Sequence, residues 1–395
     1  MAASISYILI PLSKTHQASF PPSLIPTPPP SYITQIQKST TKLIVRNNKN
    51  NSSSSAISTA DVWREIHGEN DWAGLLEPMD PTLRRELIRY GEMAQACYDA
   101  FDFYRFSEYR ESCLFPRRDF FDSLDMCHHG YIVTRYLYTT GSSFFKKWSN
   151  QAKWAGYVAV SDDATSHRLG RRDITVAWHG TSAYLKWVPY LVPVSSHSIP
   201  CPDQKVKKVE SGLLELYTNK DQTCRYCKYS AREQVLSELK RLMERYYDEE
   251  LSITVTGHSL GSALAVLSAY DIAEMGLNGK RNNNVIPISV MSFSSRRVVN
   301  TRFKERLEML GVKVLRVVNV HDMEVRPPRV MKLVDDLLWS YSHVGVELAL
   351  DQKNSPFLKP DVDPASAHNL EVLLHLIDGL VSLNNYLYTL SSCMS

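Results

Sequence analysis

The sequence predicts an α/β fold in which helices cover both faces of a mostly parallel central sheet. β-Branched runs alternate with helix-like segments between residues 131 and 320, a pattern typical of parallel sheets. One such run, 253–256, leads through a glycine into an Ala- and Leu-rich segment, 262–275. Of the 395 residues, 44% are hydrophobic and 22% charged, and no apolar run approaches the roughly 18 residues needed to span a bilayer. We therefore expect a globular protein that does not cross a membrane.

Local periodicity predicts the individual elements. Helix formers surround Leu83, Leu87 and Tyr90 at amphipathic spacing, and Asp80-Pro81 ahead of them is a typical helix start. The predicted helices are one that begins at Asp80-Pro81 within the segment 63–101, and 230–248, 262–275 and 301–310. The predicted strands are 131–138, 157–160, 174–178, 253–256, 285–293 and 314–320.

Residues 1–60 differ in composition from the rest of the chain. They contain 25 Ser, Thr or Pro and five Lys or Arg, but none of the 42 Asp and Glu. Proline clusters and the serine run at 52–55 do not build a packed core. Ser/Thr richness with scattered basic residues is typical of an organelle transit peptide, and a disordered tail is the alternative. We predict a disordered plastid transit peptide at 1–60, with the mitochondrion as second choice, and one domain at 61–395.

The net charge of +3 comes from this leader, because the remaining residues carry 40 Lys and Arg against 42 Asp and Glu. Such a balance gives no reason to expect a nucleic-acid partner. The seven cysteines are an odd number spread along the chain and define no disulfide framework. Cys224 and Cys227 form a CxxC with no second pair at zinc spacing, so two ordinary thiols are expected rather than a metal or redox site.

The chemistry is predicted at the junction after strand 253–256. Gly257-His258-Ser259-Leu260-Gly261 fits the pattern G-x-S-x-G, with a strand before it and a small-residue helix after it, as a nucleophile elbow requires. The two glycines leave room for strand and helix to pass closely, and the helix N-terminus points free N–H groups at the reacting centre. A serine in an ordinary strand–helix turn is the alternative.

A serine hydroxyl needs a base to take its proton, so an acid and then a histidine are expected downstream. Asp322 follows run 314–320 at the carboxyl end of a strand, where sites on parallel sheets gather, and His368 stands at a helix start. The residues leave open two other acids, Asp351 and Asp363, and three other bases, His321, His343 and His375. His375 lies on the same apolar helix as His368, so we expect it to pack in the core.

Long stretches of the chain resemble the plant class I phospholipase A1 family, plastid lipases of the defective-in-anther-dehiscence type within the class 3 lipases. The resemblance covers roughly residues 63–380. It is carried by WREIHGENDWAGLLEPMDPTLRRELIRYGEMAQACYDAF, LSITVTGHSLGSALAVLSAYDIAEMGLN, LGVKVLRVVNVHD and AHNLEVLLHLIDG.

The resemblance implies an α/β-hydrolase fold and a catalytic triad. In it Ser259 forms the acyl-enzyme, Asp322 is the acid and His368 is the base. An oxyanion hole is expected from the backbone N–H of Leu260 and, in the loop after 174–178, of Thr181. Gly257, His258 and Gly261 support the elbow, and no metal or organic cofactor is expected.

The run 184–192 is unusually apolar and contains a proline. Tyr184, Leu185 and Trp187 are therefore the predicted acyl-binding or membrane-interface side chains, in a wall of the acyl site or in a small lid. Simple burial under the sheet is the alternative.

Two loops and one residue depart from the family pattern. Where the family has G-G-P-R-V-G-N, the chain has Ser-Ser-Arg-Arg-Val-Val-Asn at 294–300. The family's proline-containing turn after Asp322 becomes Met-Glu-Val-Arg-Pro-Pro at 323–328, and His179 replaces the arginine of W-R-G-T. Lost glycines and a lost proline can reshape a loop beside the catalytic residues. We expect an active enzyme whose efficiency depends on these loops.

The resulting prediction is a lipid acyl hydrolase of the phospholipase A1 or galactolipase type. It is expected to release a fatty acid from the sn-1 position of plastid glycerolipids at a membrane surface, with phospholipid, galactolipid and triacylglycerol as candidate substrates. One alternative is a catalytically impaired protein of this fold that binds lipid or a partner. Another is an esterase for small soluble esters.

Overall fold

The computed structural model describes residues 58–104, 106–140, 152–180, 196–199, 207–279, 285–325, 341–355, 358 and 364–380. The chain divides into two units, Met1–Ala56 and Ile57–Ser395, and every element below belongs to the second. The predicted leader lies outside the described residues except for its last three, 58–60. These belong to the start of the first helix, where the Ser58 side chain accepts a hydrogen bond from the backbone N–H of Ala60.

The described helices begin where the sequence offers caps. Asp80 accepts hydrogen bonds from the N–H groups of Thr82 and Leu83, and Ser230 and Glu233 form a reciprocal capping box. The helices are α1 (Thr59–Ile66), α2 (Pro81–Asp99), α3 (Phe120–Ser123), α4 (Asp163–Leu169), α5 (Ser211–Thr218), α6 (Ala231–Arg245), α7 (Leu260–Glu274), α8 (Thr301–Met309) and α9 (370–380). Short 3-10 helices span Arg117–Asp119, Cys127–His129 and Pro364–His368.

The described strands form two sheets. The strands are β1 (Tyr131–Thr139), β2 (Lys153–Ser161), β3 (Arg172–Trp178), β4 (Ser196–Ile199), β5 (Lys207–Glu210), β6 (Leu251–His258), β7 (Ile288–Phe293), β8 (Val299–Asn300), β9 (Lys313–Asn319), β10 (Tyr341–Ser342) and β11 (Val346–Leu350). The central sheet has the order β1-β2-β3-β6-β7-β9-β11, and a small antiparallel sheet has the order β10-β8-β5-β4.

Five strands of the central sheet, β3, β6, β7, β9 and β11, run parallel, and β1 and β2 extend it antiparallel on one side. The carboxyl ends of the parallel strands therefore meet at one edge, which we call the carboxyl edge, and their first residues meet at the opposite amino edge. The paired residues Trp178, Gly257 and Ser292 mark the carboxyl edge on three neighbouring strands. Since β2 opposes β3, β2 begins at the carboxyl edge.

A hydrophobic core lies on each face of this sheet. One core receives side chains from α5, α6, α7 and α8, and the other from α1, α2, α3 and α9. Helix α7 is buried continuously from Gly261 to Tyr270, because its many small residues let it lie close against the strands. This architecture confirms the predicted α/β-hydrolase fold with a mostly parallel sheet covered on both faces. Within the described residues, no helix is both long and apolar enough to cross a bilayer.

Candidate active site

Ser259 stands alone between the last residue of β6 and the first residue of α7. Its backbone has φ 55° and ψ −118°. This conformation is energetically unfavourable for residues other than glycine and is often found at functional sites. The turn is held because the Ser259 N–H donates to the Phe293 carbonyl oxygen at 2.9 Å.

Gly257 and Gly261 are required by space at this turn. A β-carbon on Gly257 would lie 2.4 Å from the carbonyl carbon of Gly261, and one on Gly261 would lie 2.4 Å from the carbonyl oxygen of Trp178. Because these neighbours are backbone atoms, they cannot move aside as a flexible side chain would. The close approach of strand and helix therefore permits only glycine at both positions.

The structure brings Ser259, His368 and Asp322 together in a chain of hydrogen bonds. The Oγ atom of Ser259 lies 2.9 Å from Nε2 of His368, and Nδ1 of the same ring lies 2.8 Å from Oδ2 of Asp322. These separations match the arrangement in which a base takes the proton of a nucleophile while an acid orients the base. The three residues are separated by 46 and 109 positions in the sequence.

Asp322 lies just beyond the carboxyl end of β9 and is almost completely buried. Its Oδ1 accepts hydrogen bonds from the backbone N–H groups of Glu324 at 3.0 Å and Val325 at 3.4 Å, which leaves Oδ2 for His368. The turn after β9 thus fixes the carboxylate in one orientation.

The environment of His368 favours its protonated form. Burial opposes a charge on the ring, but the hydrogen bond from the ring to Asp322 and the negative charge of that carboxylate outweigh it, so the pKa of His368 is raised above its usual value. A second carboxylate is also near, since Oε2 of Glu324 lies 3.6 Å from Nε2. The site is therefore arranged to stabilise the imidazolium that forms when a serine proton is taken up.

His258, beside the nucleophile, links two other parts of the site. Its Nε2 lies 2.8 Å from the carbonyl oxygen of His368, and its Nδ1 lies 2.8 Å from the hydroxyl of Tyr98 on α2. Since a carbonyl oxygen only accepts, Nε2 carries the proton and Tyr98 donates to Nδ1. Burial lowers the pKa of His258 to about 3, so the ring is neutral and keeps this tautomer.

Tyr98 was not found from the sequence. It lies 160 residues from His258 and no motif surrounds it. Only its position on α2, against the carboxyl edge, brings its hydroxyl to the histidine of the elbow.

The loop after β3 reaches the same place. Gly180 packs so tightly that a β-carbon there would lie 1.9 Å from the Tyr98 hydroxyl oxygen and 2.6 Å from the His258 carbonyl oxygen. His179 is stacked on Phe101, and burial lowers the pKa of its ring to about 4. Leu260 is the first residue of α7, where a backbone N–H has no partner within the helix. Thr181, the second predicted oxyanion donor, lies outside the described residues, as do Tyr184, Leu185 and Trp187.

The other acids and bases considered from the sequence take different places. His321 and Asp351 pair with each other, with Nε2 and Oδ1 2.8 Å apart. His375 is exposed on α9, so the expectation that it packs in the core is wrong, because this position falls on the outer side of the helix. Asp363 lies outside the described residues.

Of the two unusual loops, 294–299 is described and keeps a strained turn. Ser294 has φ 49°, although it stands where the family pattern has glycine, and its buried hydroxyl has no hydrogen-bond partner among the described residues. Its backbone N–H donates to the Val317 carbonyl oxygen at 2.9 Å. Serine thus adopts a left-handed conformation at this position. Of the loop 323–328, only the first three residues are described.

Two groups of possible metal ligands are separate from the Ser259 site: the pair Cys224 and Cys227, and the group Glu92, His128 and His129. Cys227 is buried, and burial raises the pKa of its thiol to about 12, which opposes a reactive thiolate. Among the described residues, Glu92, His128 and His129 are the one group of three whose ligand atoms lie within 4.8 Å of one another. This group precedes β1 at the amino edge, where His129 and Glu92 form an ion pair when the histidine is protonated.

Comparison with known proteins gives a consistent result. The family model described as Lipase (class 3) matches residues 175–331, which include Ser259 and Asp322. An Arabidopsis thaliana protein named Phospholipase A1-Igamma2, chloroplastic, is 58% identical over 347 residues, which are 81% of this chain and 65% of that protein. Galactolipase DONGLE, chloroplastic, from the same plant is 42% identical over 339 residues, 80% of this chain and 70% of that protein. The chain thus spans about two thirds of the length of these relatives.

A solved structure of the Rhizomucor miehei triacylglyceride lipase is 18% identical, covering 74% of this chain and 92% of that one, with a TM-score of 0.46.

Proposed function

The chain belongs to the plant phospholipase A1 family, and we propose that it hydrolyses the carboxylic ester of a membrane glycerolipid, with Ser259 as the nucleophile. The observation that carries this proposal is the hydrogen-bonded chain Ser259–His368–Asp322 at a strained elbow with buried surroundings. The relatives named phospholipase A1 and galactolipase support the substrate class.

The reaction proceeds in two halves. The Ser259 oxygen attacks the ester carbonyl carbon while its proton passes to Nε2 of His368, and the negative charge on the carbonyl oxygen is stabilised by the N–H of Leu260. The bond to the glycerol oxygen then breaks, and that oxygen takes the proton from His368. This leaves an acyl-enzyme and a released lysolipid.

Water completes the cycle. His368 takes a proton from the water as its oxygen attacks the acyl carbon, the bond to Ser259 breaks, and the serine oxygen recovers the proton. Asp322 keeps the imidazole in the correct tautomer throughout, because its oxygen accepts from Nδ1. The free fatty acid then leaves the site.

We assign the acyl chain at the sn-1 position as the one released, and phospholipid or galactolipid as the substrate. The resemblance to a phospholipase A1 family supports the first assignment, and the presence of a galactolipase among the relatives supports the second. We take Thr181 as the second oxyanion donor, because it follows in the sequence directly after Gly180, which packs against His258.

The direct test is lipid-product analysis. The full chain is mixed with vesicles of phosphatidylcholine and monogalactosyldiacylglycerol that carry distinguishable acyl chains at sn-1 and sn-2. We expect fatty acid from sn-1 and the matching lysolipid. Ser259→Ala should lower the rate at least about a thousandfold, whereas Ser237→Ala, on the outer side of α6, should keep it. Release by Ser259→Ala at the parental rate would refute the proposal.

The altered loop at 294–299 favours one competing function, lipid binding without turnover. A fluorophosphonate probe separates the two, because only an activated Ser259 reacts with it. Labelling that disappears in Ser259→Ala supports hydrolysis, whereas no labelling of folded protein supports binding alone.

We propose that the protein acts in plastids. The relatives whose names include "chloroplastic" and the Ser/Thr-rich leader at 1–60 support this location. Residues 1–60 fused to a fluorescent protein should direct it into chloroplasts, and exclusively mitochondrial fluorescence would contradict the proposal.

A further inference from the structure

An aromatic loop, residues 102–112, connects α2 toward β1. Four of its side chains are largely exposed: 42% for Phe103, 66% for Tyr104, 80% for Phe106 and 67% for Tyr109. The rings of Tyr104 and Phe106 meet edge to face, with centroids 5.9 Å apart. Soluble proteins seldom expose several apolar side chains side by side, so a group of exposed aromatic side chains in one short segment indicates an interaction surface.

The neck of the aromatic loop is closed by backbone hydrogen bonds. The N–H of Asp102 donates to the carbonyl oxygen of Ser112, and the N–H of Glu111 donates to the carbonyl oxygen of Asp102, both at 2.9 Å. The N–H of Trp154, near the start of β2, donates to the carbonyl oxygen of Glu111, also at 2.9 Å. Since β2 begins at the carboxyl edge, the aromatic loop is fixed to the edge that carries Ser259.

Aromatic contacts continue from this loop into the site. The ring of Phe103 lies 4.7 Å from that of Phe101, which in turn stacks on His179 at 4.5 Å. His179 also lies 4.9 Å from the ring of Tyr98, whose hydroxyl donates to His258. Phe103 is therefore the outer end of a packed aromatic series that begins beside Ser259, and Tyr104 follows it directly in the chain.

The charges of the aromatic loop are nearly balanced and do not favour binding to a strongly charged surface. Residues 102–111 contain three acids, Asp102, Glu108 and Glu111, and two bases, Arg105 and Arg110. Strongly anionic lipids attract clusters of basic residues, which this segment lacks. Tyrosine, in contrast, settles at the level of the headgroups with its ring inward and its hydroxyl toward water, and phenylalanine buries its ring in the apolar layer.

We propose that the aromatic loop enters the headgroup layer of a glycerolipid bilayer of low net charge and holds the carboxyl edge against it. This inference rests on the proposed function, because a lipid ester must pass from such a layer to Ser259. It places a membrane contact on a segment other than 184–192, the run predicted from the sequence. The binding is carried by ring insertion, and the site then faces the substrate.

The test measures partition onto phosphatidylcholine vesicles by co-sedimentation, using the full chain with Ser259→Ala so that no lipid is consumed. In that background, Tyr104→Ser with Phe106→Ser should weaken vesicle binding about tenfold or more, since a ring is removed from the apolar layer at each position. The matched control is Tyr247→Ser with Met309→Ser, which removes two exposed apolar side chains ahead of β6 and β9 at the amino edge. This control should bind within about twofold of the parent.

Salt provides a second measurement. Binding through inserted rings should change little when NaCl rises from about 0.05 to 0.5 M, whereas binding through charge should largely disappear. Unchanged binding of the Tyr104/Phe106 variant, or loss of parental binding in high salt, would overturn the inference and leave these rings as a contact for another protein.

Soluble substrate separates this inference from the proposed function. With Ser259 intact, the Tyr104/Phe106 variant should hydrolyse a short-chain monomeric ester at the parental rate, which also shows that it is folded. If the parent hydrolyses no ester at all, the proposed function fails, but vesicle partition still decides the role of the aromatic loop.

Discussion

Each edge of the central sheet holds a buried carboxylate and a histidine, but these groups have different neighbours at the two edges. At the carboxyl edge, one buried carboxylate, Asp322, is hydrogen-bonded to His368, whose other nitrogen faces the hydroxyl of Ser259, the proposed nucleophile. At the amino edge, another carboxylate, Asp173, is completely buried, and its described hydrogen-bond partners are hydroxyl groups. The comparison contrasts a buried carboxylate that contacts the proposed catalytic residues with one that is enclosed by hydroxyl groups.

Asp173 is saturated with hydrogen bonds. Its two oxygens accept from five hydroxyl groups at 2.6 to 3.1 Å, those of Tyr90, Tyr131, Thr175, Ser252 and Thr254. Burial alone would raise its pKa, but the charge of Arg171 and the hydrogen bond from Ser252 lower the pKa to about 2. The carboxylate is therefore ionised and completely enclosed.

His67 and His368 differ in the charge of the side chain that each ring contacts. Arg171 hydrogen-bonds to Nε2 of His67, and because a guanidinium only donates, this nitrogen accepts and the ring is neutral. Burial and the charge of Arg171 lower the pKa of His67, whereas Asp322 raises that of His368. Burial opposes a charge on both rings; the Arg171 charge adds to this effect at His67, whereas Asp322 outweighs it at His368.

Asp322→Asn should have the largest effect. The variant can no longer hold His368 in the reactive tautomer, so kcat should fall about ten-thousandfold while the unfolding midpoint changes little. Fatty-acid release and urea unfolding measure the two quantities. A kcat within about tenfold of the parent would mean that another acid serves His368.

Asp173→Asn should show the reverse pattern. Buried Arg171 loses a charged partner, so the free energy of unfolding should fall by about 3 to 5 kcal/mol. The kcat of the protein that remains folded should not change. Asp163→Asn, whose carboxylate is exposed, is the control and should cost less than about 1 kcal/mol. A loss of kcat in folded Asp173→Asn would show that the two edges are coupled.

Tyr98→Phe tests whether the carboxyl edge depends on support from α2. Removal of the hydroxyl frees Nδ1 of His258, loosens its bond to the His368 carbonyl oxygen and should lower kcat about tenfold with KM unchanged. Tyr157→Phe is the matched control, because the buried hydroxyl of Tyr157 also contacts α2, donating to the Met93 carbonyl oxygen at 2.8 Å. Equal kcat values for the two variants would mean that Tyr98 only packs against its neighbours. An unaltered dependence of kcat on pH in Tyr98→Phe would mean the same.

The two histidines predict opposite responses of stability to pH. The folded-state pKa of His67 is lowered, so its contribution is present above the unfolded value of about 6.5 and is lost as pH falls toward the folded-state pKa. The pKa of His368 is raised, so its contribution is present below about 6.5 and is lost as pH rises through the folded-state pKa.

His67→Gln should therefore reduce the loss of unfolding free energy between about pH 7 and pH 5, measured by urea denaturation. The exposed His375→Gln is the control and should keep the parental slope. The same raised pKa of His368 predicts that kcat/KM falls as pH decreases through it, because the base must be neutral to accept the serine proton. A parental slope in His67→Gln would contradict the assignment.

Ser294→Gly should produce the smallest effect, a gain of about 1 kcal/mol in unfolding free energy. Glycine adopts the positive φ without steric cost, and the buried unpaired hydroxyl is removed. Urea unfolding tests this value, with kcat as the second readout. A loss of stability would mean that the serine hydroxyl has a partner in solution.

The sequence predicted the catalytic elbow better than the surroundings that make it work. Strand 253–256, the glycines at 257 and 261 and the helix after them follow from local pattern, and the structure extends these elements by only a few residues. Position 375 was misjudged because an apolar helix alone does not reveal which side faces its neighbours. The hydroxyl group of Tyr98 was missed for a similar reason, since α2 meets the elbow only through tertiary packing.

By itself, the sequence determined the strand, turn and helix around Ser259, the need for glycine at 257 and 261 and six of the seven strands of the central sheet, because these depend on local pattern. The strands β4, β5, β8, β10 and β11 were not predicted. The tertiary structure decided which acid and base face Ser259, which carboxylate is sealed at the amino edge and which aromatic loop flanks the site. Those relations join residues up to 164 positions apart, as Tyr90 and Thr254 are. They depend on the order in which strands lie side by side, which local propensity does not specify.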